Sequence, residues 1–325
     1  HKKLEMDYEG TRFPSCFISE NEKNYIKNDV LVVKEALELL FNDGYNSLTI
    51  GACCLKEYKK TLLFKEEFDR FFPNLKNFCL DEKIYNAKDA DEYIRNSYRG
   101  GWCYVVKGKD KKVIKNGLTA DVNSLYPSMM HSESGNFYPV GKPKFWKGNY
   151  IPDEALKNNR YYFLRIKTRF QIKKNKLPFI QIKNQFRFKA TEMLETSDFY
   201  DKKTDCYYSK YKDKCGNTYD TRVMMTLTMT DYILMQEHYE LIDFEIIDGC
   251  YFFSEIGLFD DYINKYKEIK MTSKGAKREE AKLFLNNLYG KFASSDDSNY
   301  KTIFDDNGII KFCNVEEHNK KIGYI

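Results

Sequence analysis

Hydrophobic residues recur at three- and four-residue spacing in three parts of the chain, and this spacing predicts helices. The clearest is residues 19–43, where Ser19 and Glu22 form a capping box ahead of the hydrophobic positions and Gly44 follows as a stop. Residues 226–241 and 275–291 show the same periodicity. The pattern therefore predicts three helices, of which the first and third are the strongest.

Strand-like patterns lie between and after these helices. Val105–Val122 alternates, residues 243–253 follow the second helix as a strand, and the tail has two strand-like runs around Asn307 and Gly308, the pair typical of a two-residue type I′ hairpin turn. Residues 133–222 contain four prolines, which disfavour long helices. The adjacent Gly100 and Gly101 predict a turn and a junction between two domains.

The composition indicates a folded chain of about two domains and argues against a disordered or a membrane-spanning protein. With 325 residues and 42% hydrophobic content, the chain can bury a core and is long enough for about two domains. Its 16% aromatic content argues against disorder, and its net charge of +5 is too small to identify a partner. There is no signal peptide and no apolar run of membrane-spanning length, so we expect a cytoplasmic protein without a membrane partner.

Cysteine usage agrees with a reducing compartment. The nine cysteines contain no C-x-x-C pair. Cys206 and Cys215 flank "YYSKYKDK" and could face each other across a hairpin, but a structural zinc site needs four ligands. We therefore do not predict a metal there.

Basic residues concentrate in one part of the chain. Residues 157–190 contain eleven lysines and arginines, no acid, and seven interleaved aromatic residues. Cations neutralise phosphates and flat rings stack on bases, so the segment favours a nucleic-acid surface. The alternative is a solvated two-stranded ribbon.

The third predicted helix presents a row of polar groups. At 100° per residue, an arc of about 80° holds two cations, an amide and a phenol. They are Arg278, Lys282, Asn286 and Tyr289. Ala281, Phe284, Leu285 and Leu288 lie on the adjacent side and are expected to pack. Such a row suits a polyphosphate, and an amphipathic surface helix is the alternative.

A single acid, Asp121, closes the alternating run Val105–Val122 and is followed by "VNSLYPS". A carboxylate at the end of a buried strand can hold Mg²⁺, which prefers oxygen ligands. The alternative role for such an aspartate is that of a turn former or helix cap.

Four segments together resemble family B DNA polymerases. "DVNSLYPS" from Asp121 resembles motif A, D-x-x-S-L-Y-P-S, and "KLFLNNLYG" from Lys282 resembles motif B, K-x-x-x-N-S-x-Y-G, with Asn287 in place of serine. "YIKND", Tyr25 to Asp29, resembles the third exonuclease motif, Y-x-x-x-D. "YRGG" at 98–101 resembles the segment that links exonuclease and polymerase domains. The order matches the family, and the long basic segment and terminal hairpin resemble the insertions of its protein-primed branch in phages and linear plasmids. This branch implies the cytoplasm of a bacterial host cell.

The resemblance implies roles for individual residues. Asp121 and the backbone carbonyl of Val122 would bind two Mg²⁺ ions, with Mn²⁺ as an alternative. Tyr126 would stack under the incoming sugar and reject a 2′-hydroxyl. The deoxynucleotide would further be bound by Lys270, Arg278, Lys282, Asn286 and Tyr289. Primer–template DNA would contact Ser124, Tyr98, Arg99, Gly100, Gly101, Lys173, Lys174, Lys176 and Lys183. Tyr25 and Asp29 would serve the exonuclease.

The resemblance also implies a fold and a division of the chain. The expected class is α+β, a partial polymerase palm and fingers with two insertions, preceded by the last part of a ribonuclease-H-like exonuclease domain. The division is 1–61 exonuclease, 62–132 first part of the palm, 133–257 basic insertion for terminal protein and DNA, 258–293 fingers, and 294–325 hairpin insertion for strand displacement and processivity. An open edge on an incomplete palm sheet is expected to reduce solubility.

One part of the family pattern is missing. The second metal carboxylate of the family comes from a Y-x-D-T-D-S-like hairpin after motif B, and no D-T-D occurs here. Asp248, in a hairpin-like setting, and "YDTR" at 219–222 both precede motif B and are interpreted as unrelated to it. Motif C and the thumb would follow Ile325, and exonuclease motifs I and II would precede His1.

We therefore expect a DNA-directed DNA polymerase, with an associated 3′–5′ exonuclease in the full-length protein, that is inactive as this chain alone. The alternative is a polymerase relic that binds DNA or a terminal protein without catalysis, and a reverse transcriptase or primase-like enzyme is a more distant one. All of these expectations require that Asp121 and the polar row of the third helix converge on one nucleoside triphosphate pocket.

Overall fold

The computed structural model describes residues 17–64, 66–106, 108–109, 112–182, 188, 192–212, 215–294, 300–304 and 310–314, and for the last two ranges the backbone only. The chain divides into two compact units. Unit 1 consists of His1–Thr61, Ser124–Ser128 and Asp261–Ile325, and unit 2 of Leu62–Asn123 and Met129–Asp260. The assignment of segments to exonuclease, palm, insertions and fingers stays a prediction.

The helices of the described residues are, in chain order, α1 (Glu20–Asn42), α2 (Ile50–Thr61), α3 (Glu67–Phe71), α4 (Glu82–Tyr85), α5 (Ala90–Arg95), α6 (Leu125–Met130), α7 (Met229–His238), α8 (Asp260–Thr272) and α9 (Gly275–Ala293). The strands are β1 (Tyr138–Lys147), β2 (Arg160–Ile172), β3 (Phe199–Asp201), β4 (Cys206–Tyr208), β5 (Lys210–Lys212), β6 (Thr218–Asp220), β7 (Val223–Thr228), β8 (Tyr239–Glu255), β9 (Tyr300–Phe304) and β10 (Ile310–Asn314). Short 3₁₀ turns occupy Leu75–Asn77, Ser132–Ser134 and Asp153–Leu156. This is a mixed α and β architecture, as predicted.

The two strongest predicted helices are confirmed. The backbone N–H of Ser19 donates to the Glu22 carboxylate at 2.7 Å, and the backbone N–H of Glu22 donates to the Ser19 hydroxyl at 3.3 Å, so the capping box at α1 is formed. Gly44 follows the helix with a φ of 85°. At that angle glycine avoids the steric cost that a Cβ imposes. Helix α9 covers the predicted range.

The third predicted helix is shorter than expected. Thr226–Thr228 end β7 and pair with β2, and Tyr239–Leu241 begin β8, so α7 keeps only Met229–His238. Pairing in a sheet has overridden helical periodicity at both ends. The Thr228 hydroxyl caps α7 by accepting from the backbone N–H of Asp231 at 3.0 Å.

The predicted strand over Val105–Val122 is wrong. The described residues of this range have neither strand nor helix and are mostly exposed. Alternation specifies which side chains share a face, but a strand also needs a neighbour to take its backbone hydrogen bonds. No described strand pairs with this range. Asp121 therefore does not stand at the end of a buried strand.

The turn predicted at Gly100 and Gly101 is also wrong. Neither glycine has a positive φ, and the described residues 98–102 form no turn. A Cβ on Gly101 would meet nothing within 4 Å, and one on Gly100 would meet only the Gln181 side-chain oxygen at 3.6 Å, an ordinary contact. Neither the backbone nor the packing of unit 2 requires glycine at these positions.

Unit 2 is built on an antiparallel sheet of order β1-β8-β2-β7 with hydrophobic clusters on both faces. One cluster contains Tyr162, Leu164 and Ile166 of β2, with Met235 of α7. The other contains Phe163 of β2 with Ala87, Tyr93, Cys250 and Phe252. Successive β2 side chains thus face opposite clusters, and β2 is a central strand buried on both sides.

This position corrects the alternative of a solvated two-stranded ribbon for residues 157–190, and the nucleic-acid surface stays a prediction that rests on the lysines of the segment. The segment has no acid of its own, but acids from elsewhere in unit 2 neutralise the arginines of β2. Arg160 contacts Glu154 at 2.6 Å, Arg165 pairs with Asp248, and Arg169 contacts Asp198 at 3.1 Å. Charge density along a sequence does not reveal partners supplied by other segments: Arg160 and Arg165 are buried, and Arg169 is partly buried.

Asp248 lies in the middle of β8, opposite Arg165 and Lys147, so its predicted hairpin-like setting is wrong. Its side chain is 0% exposed. The Tyr93 hydroxyl donates to Asp248 Oδ1 at 2.8 Å and Arg165 Nε donates to the same oxygen at 3.1 Å. A second Arg165 nitrogen donates to Asp248 Oδ2 and to the carbonyl of Ile84. The pair is a fully hydrogen-bonded part of the sheet.

Cys206 and Cys215 do not face each other. Cys206 pairs with Asp201 in the β3–β4 ribbon, whereas Cys215 follows β5 in the separate β5–β6 ribbon. The tail forms the predicted antiparallel hairpin, β9 with β10, and its turn at Asn307 and Gly308 lies outside the described residues. Among the described residues, no helix combines the length and the apolar character that crossing a bilayer requires.

We expect Gly249→Ala to destabilise unit 2 by about 2–3 kcal/mol. A Cβ at this position of β8 would lie 2.6 Å from the backbone oxygen of Phe163 and 2.3 Å from the Trp146 ring, so the sheet would have to move. Urea unfolding followed by tryptophan fluorescence measures the change, because both tryptophans, Trp102 and Trp146, lie in unit 2. Gly117→Ala is the control, since a Cβ there meets nothing within 4 Å. Equal effects of the two substitutions would contradict the close approach.

Candidate functional site

Helices α8 and α9 carry most of the predicted nucleotide-binding residues, and unit 1 holds both against α2. The buried side of α9 is Ala281, Phe284, Leu285 and Leu288, as its periodicity predicts. The Phe284 ring lies 4.6 Å from the Tyr45 ring and 4.9 Å from the Tyr266 ring. The Tyr262 hydroxyl donates to the Phe284 carbonyl at 2.9 Å. The packing determines which side of α9 remains exposed.

A buried carboxylate ties α2 to α8. Glu57 is 4% exposed and accepts hydrogen bonds from Lys265 at 2.9 Å, from the Tyr266 hydroxyl at 3.2 Å and from Lys60. Burial of the carboxyl group raises its pKa, but the hydrogen bonds and charges of Lys60 and Lys265 outweigh burial, so the pKa of Glu57 is below its usual value. Burial also raises the pKa of Tyr266, which keeps its phenol protonated. The ionised carboxylate of Glu57 therefore links α2 to Lys265 and Tyr266 of α8.

The exposed side of α9 presents the predicted row, Arg278, Lys282, Asn286 and Tyr289. An acid stands among the cations: Glu279 contacts Arg278 at 3.1 Å and Lys282 at 3.8 Å. Ion pairs at this level of exposure contribute little, so a more highly charged anion can displace Glu279 from either cation. The row can therefore bind a polyphosphate, with Glu279 as an internal competitor.

The stretch 124–128 places a motif A ring against this row. The Tyr126 and Tyr289 rings are parallel within 8°, with centroids 4.3 Å apart. Stacked aromatic pairs at this separation are favourable beyond the area that they bury. Both rings remain partly exposed, Tyr126 by 48% and Tyr289 by 36%. The structure thus joins two rings whose roles the sequence assigned separately.

A second contact links the stretch 124–128 to α8. Ser124 has a φ of 51°, a left-handed conformation that costs free energy for a residue with a Cβ. Its hydroxyl accepts a hydrogen bond from the Lys270 ammonium of α8 at 3.0 Å, and its carbonyl accepts from the backbone N–H of Ser128 at 2.9 Å. Ser124 and Lys270, predicted to contact DNA and nucleotide respectively, therefore contact each other.

Asp121 and Val122 belong to unit 2, and both are exposed. The carboxylate and the neighbouring carbonyl are oxygen ligands of the type that Mg²⁺ uses, and Mg²⁺ in nucleotide sites takes one or two carboxylates together with substrate phosphates. No group of three His, Cys, Asp or Glu side chains that could hold a metal occurs within the described residues. These two residues therefore fit part of a magnesium site.

The remaining predicted residues lie elsewhere in their units. Tyr25 and Asp29 share one side of α1, and both are partly buried. Tyr98 is exposed, whereas Arg99 donates to the carbonyl of Thr226 at 2.8 Å. Lys173 donates to the carbonyl of Gln236 at 2.7 Å and Lys176 pairs with Glu237 at 2.5 Å, both on α7. Lys174 is exposed, and Lys183 lies outside the described residues.

The sequence interpretation missed the residues that hold the site together, chiefly Glu57 and Tyr45. Glu57 lies in "CCLKEYKK", where a hydrophobic pair, an acid and a lysine three residues later are compatible with an amphipathic helix. That signal could have identified α2. Nothing in the sequence indicated that α2 packs on α9.

Comparison with known proteins identifies the family of this chain. The family described as "DNA polymerase type B, organellar and viral" matches residues 2–324. The DNA polymerase of Bacillus phage Nf is 35% identical over 319 residues, which cover 98% of this chain and 49% of the relative. That of Streptococcus phage Cp-1 is 30% identical over 299 residues, 90% of this chain and 47% of the relative. The chain thus spans about half the length of the curated relatives that it matches.

Solved structures give the same result. Phi29 DNA polymerase complexed with primer-template DNA and incoming nucleotide substrates is 33% identical to this chain, with a TM-score of 0.66, covering 95% of this chain and 48% of the other. The orthorhombic crystal form of phi29 DNA polymerase has a TM-score of 0.68 at 32% identity, covering 95% and 48%. The resemblance stated from the sequence motifs is confirmed: the chain belongs to the organellar and viral family of type B DNA polymerases.

Proposed function

We propose that this chain contributes to the polymerising centre of a template-directed DNA polymerase that uses deoxynucleoside triphosphates. The observation that carries the proposal is the pair of contacts between the motif A stretch and the helices α8 and α9. Tyr126 stacks on Tyr289, and Ser124 accepts a hydrogen bond from Lys270. Relatives over nearly the whole chain are named DNA polymerases, and one is titled as a complex with primer-template DNA and incoming nucleotide.

In this proposal the nucleotide lies along the exposed side of α9. Lys282, Arg278 and Lys270 bind the triphosphate, because ammonium and guanidinium groups make charge-assisted hydrogen bonds to phosphate oxygens. The stacked ring of Tyr126 takes the sugar, and a ring in that position leaves no room for a 2′-hydroxyl. Asn286 and Tyr289 contact the nascent base pair and favour one of correct shape. Each role is assigned from the family motif and is compatible with the exposure of the side chain.

Asp121 and the Val122 carbonyl would be the ligands that this chain supplies to Mg²⁺. When bound, the metal neutralises charge on the phosphates and stabilises both the attacking and the leaving oxygen. The exposure of both groups leaves their oxygens accessible to an ion. The role of Asp121 and Val122 is to bind the metal ion.

The partners follow the same proposal. Primer–template DNA would contact Ser124, the 98–101 segment and the lysines 173, 174, 176 and 183, and terminal protein would contact the basic insertion. Tyr25 and Asp29 on α1 would serve a 3′–5′ exonuclease. The β9–β10 hairpin would act in strand displacement and processivity.

A nucleotide-binding measurement tests the central assignment. We expect Lys282→Ala to weaken dNTP binding to the 325-residue chain by about tenfold, because one charge-assisted contact to the triphosphate is lost. Isothermal titration with a dNTP and Mg²⁺ measures the change. Lys267→Ala, an exposed lysine of α8 outside the row, is the matched control and should bind like the unaltered chain. Equal losses in the two variants, or no dNTP binding by the unaltered chain, would contradict the assignment.

The second candidate is a module that binds DNA or terminal protein without catalysis, which the single acid of motif A favours. Primer extension separates the two. We expect no templated synthesis by the 325-residue chain alone, because motif A supplies one carboxylate, whereas the reaction needs two metal ions to stabilise both the attacking and the leaving oxygen. Synthesis that disappears in Asp121→Asn would show that the chain is a complete catalyst.

A further inference from the structure

Glu57 of α2 is a buried carboxylate that lies outside the four family motifs. Its Oε2 atom accepts two hydrogen bonds from α8, one from the Lys265 ammonium at 2.9 Å and one from the Tyr266 hydroxyl at 3.2 Å. Its Oε1 atom accepts from Lys60, a residue of α2 itself. Burying a carboxylate costs free energy unless donors satisfy it. Both oxygens of Glu57 are satisfied, and two of the three donors belong to α8.

The two donors from α8 restrict how this helix can rotate. Neighbouring helical side chains project about 100° apart around the axis, so Lys265 and Tyr266 reach one oxygen only over a narrow range of rotation. Tyr266 is also the last buried residue of α8, which runs on to Thr272. Glu57 therefore fixes the orientation of α8 at the point beyond which none of the side chains of that helix is buried.

Lys270 lies one turn after Tyr266, on the same side of α8. Its ammonium donates to the Ser124 hydroxyl, a neutral acceptor, at 3.0 Å, and among the described residues no carboxylate pairs with it. A cation with a neutral partner keeps its attraction for a phosphate. A rotation of α8 at Tyr266 would displace this cation. The direction of the Lys270 side chain therefore depends on the contacts of Glu57.

We propose that Glu57 is a positioning residue of the nucleotide site, which fixes α8 so that the Lys270 ammonium meets the triphosphate. This role rests on the proposed function, in which Lys270 binds the triphosphate. Because Glu57 is buried, it acts through Lys265 and Tyr266 and not by touching the nucleotide. Its own charge has the opposite effect, since a carboxylate in unit 1 repels an anionic nucleotide. The two effects therefore predict opposite results when the charge is removed.

Isothermal titration of the 325-residue chain with dTTP and Mg²⁺ measures the effect. We expect Glu57→Gln to weaken dTTP binding by about fivefold, because a neutral amide no longer forms charge-assisted hydrogen bonds with Lys265 and Tyr266. Glu38→Gln is the matched control. It removes an exposed carboxylate of α1 that pairs with Lys34 at 3.4 Å, and binding should stay within about 1.5-fold of the unaltered chain. Stronger or unchanged binding in Glu57→Gln would overturn the proposal.

A double-mutant cycle separates the positioning of Lys270 from a general loosening of unit 1. We expect Lys270→Ala to weaken dTTP binding by about tenfold, since one charge-assisted contact is lost. In the Lys270→Ala background, Glu57→Gln should change binding by no more than about 1.5-fold, because the residue through which Glu57 acts is already absent. A general loosening would instead weaken binding by the same factor in both backgrounds, and that result would refute the positioning role.

A second variant takes the place of Glu57→Gln if that chain loses its helical circular dichroism signal. Tyr266→Phe keeps the buried ring and removes only the hydroxyl that donates to Glu57 and lies 3.4 Å from the Tyr45 hydroxyl. It should weaken dTTP binding by about threefold in the unaltered chain and by no more than about 1.5-fold in Lys270→Ala. Equal losses in the two backgrounds would contradict the proposal in the same way.

Two further measurements distinguish a failure of this role from a failure of the nucleotide site. Weaker dTTP binding in Lys282→Ala together with normal binding in Glu57→Gln would remove the positioning role and leave the nucleotide site. Reductive methylation of Lys270, followed by mass spectrometry, needs no nucleotide and should be about threefold faster in Glu57→Gln, because Ser124 then protects the ammonium less. An unchanged methylation rate would remove the positioning role. Faster methylation in a chain that does not bind dTTP would remove the nucleotide site and leave Glu57 as the residue that orients Lys270.

Discussion

Replacing Asp248 by alanine will destabilise unit 2 by about 3–5 kcal/mol, the usual cost of removing one partner from a buried ion pair. The substitution leaves the Arg165 guanidinium in the sheet interior with only the carbonyl of Ile84 as an acceptor, and it deprives the Tyr93 hydroxyl of its acceptor. Urea unfolding monitored by tryptophan fluorescence measures the change, because both tryptophans lie in unit 2.

Two further variants identify the cause. Asp243→Asn removes the charge of an aspartate of the same strand whose side chain is 63% exposed and 3.6 Å from Arg169; asparagine tolerates the φ of 53° at this position, so the change should cost at most about 1 kcal/mol. The double variant Arg165→Met, Asp248→Leu should recover most of the stability that Asp248→Ala loses, since no unpaired charge remains. If the double variant is no more stable than Asp248→Ala, the loss comes from packing and not from the unpaired cation.

Replacing Phe284 by alanine will destabilise unit 1 by about 3–5 kcal/mol. The ring is 0% exposed and packs between Tyr45 and Tyr266, so its removal leaves a cavity where α9 meets its neighbours. Thermal unfolding followed by the helical circular dichroism signal measures the change, since α1, α2, α8 and α9 supply most of the helix in the described residues.

The same variant connects stability with function. Because Lys282 and Tyr289 stand on the exposed side of α9, loosening that helix should reduce dNTP binding together with stability. Leu283→Ala is the matched control: the side chain lies on the same helix, is 46% exposed, and should change stability by no more than about 0.5 kcal/mol. If Phe284→Ala unfolds at a lower temperature but binds dNTP normally, then dNTP binding does not depend on the packing of α9, and this result would contradict the assignment.

Sequence patterns predicted the structure correctly where the interacting residues lie within a few positions of each other. The capping box at Ser19 and Glu22 formed because both partners lie within one turn of α1. The buried side of α9 follows from 3.6-residue periodicity, which places Phe284 and Leu288 together regardless of what covers them. The same reasoning grouped Arg278 with Lys282 on the exposed side, and the four family motifs were recognised from adjacent residues.

Non-local partners produced the errors. The pattern over Val105–Val122 had no strand beside it, and the ends of the predicted helix 226–241 were taken by pairing with β2. The basic run 157–190 suggested that Arg165 is exposed, but Asp248 from β8 neutralises it inside the sheet. For β7, β8 and Arg165 the deciding partner lies many residues away, and loop closure brings it close only in the folded chain.

By itself the sequence determined the family and the strongest helices, and it supplied the candidate nucleotide-binding residues, because each of these depends on short-range spacing. The tertiary structure alone decided that Tyr126 stacks on Tyr289, that Ser124 is held by Lys270, and that Gln181 lies beside Gly100. The two residues of each pair lie between about 80 and about 160 positions apart in the sequence. Their existence depends on how buried faces pack, and packing is a property of the whole folded unit.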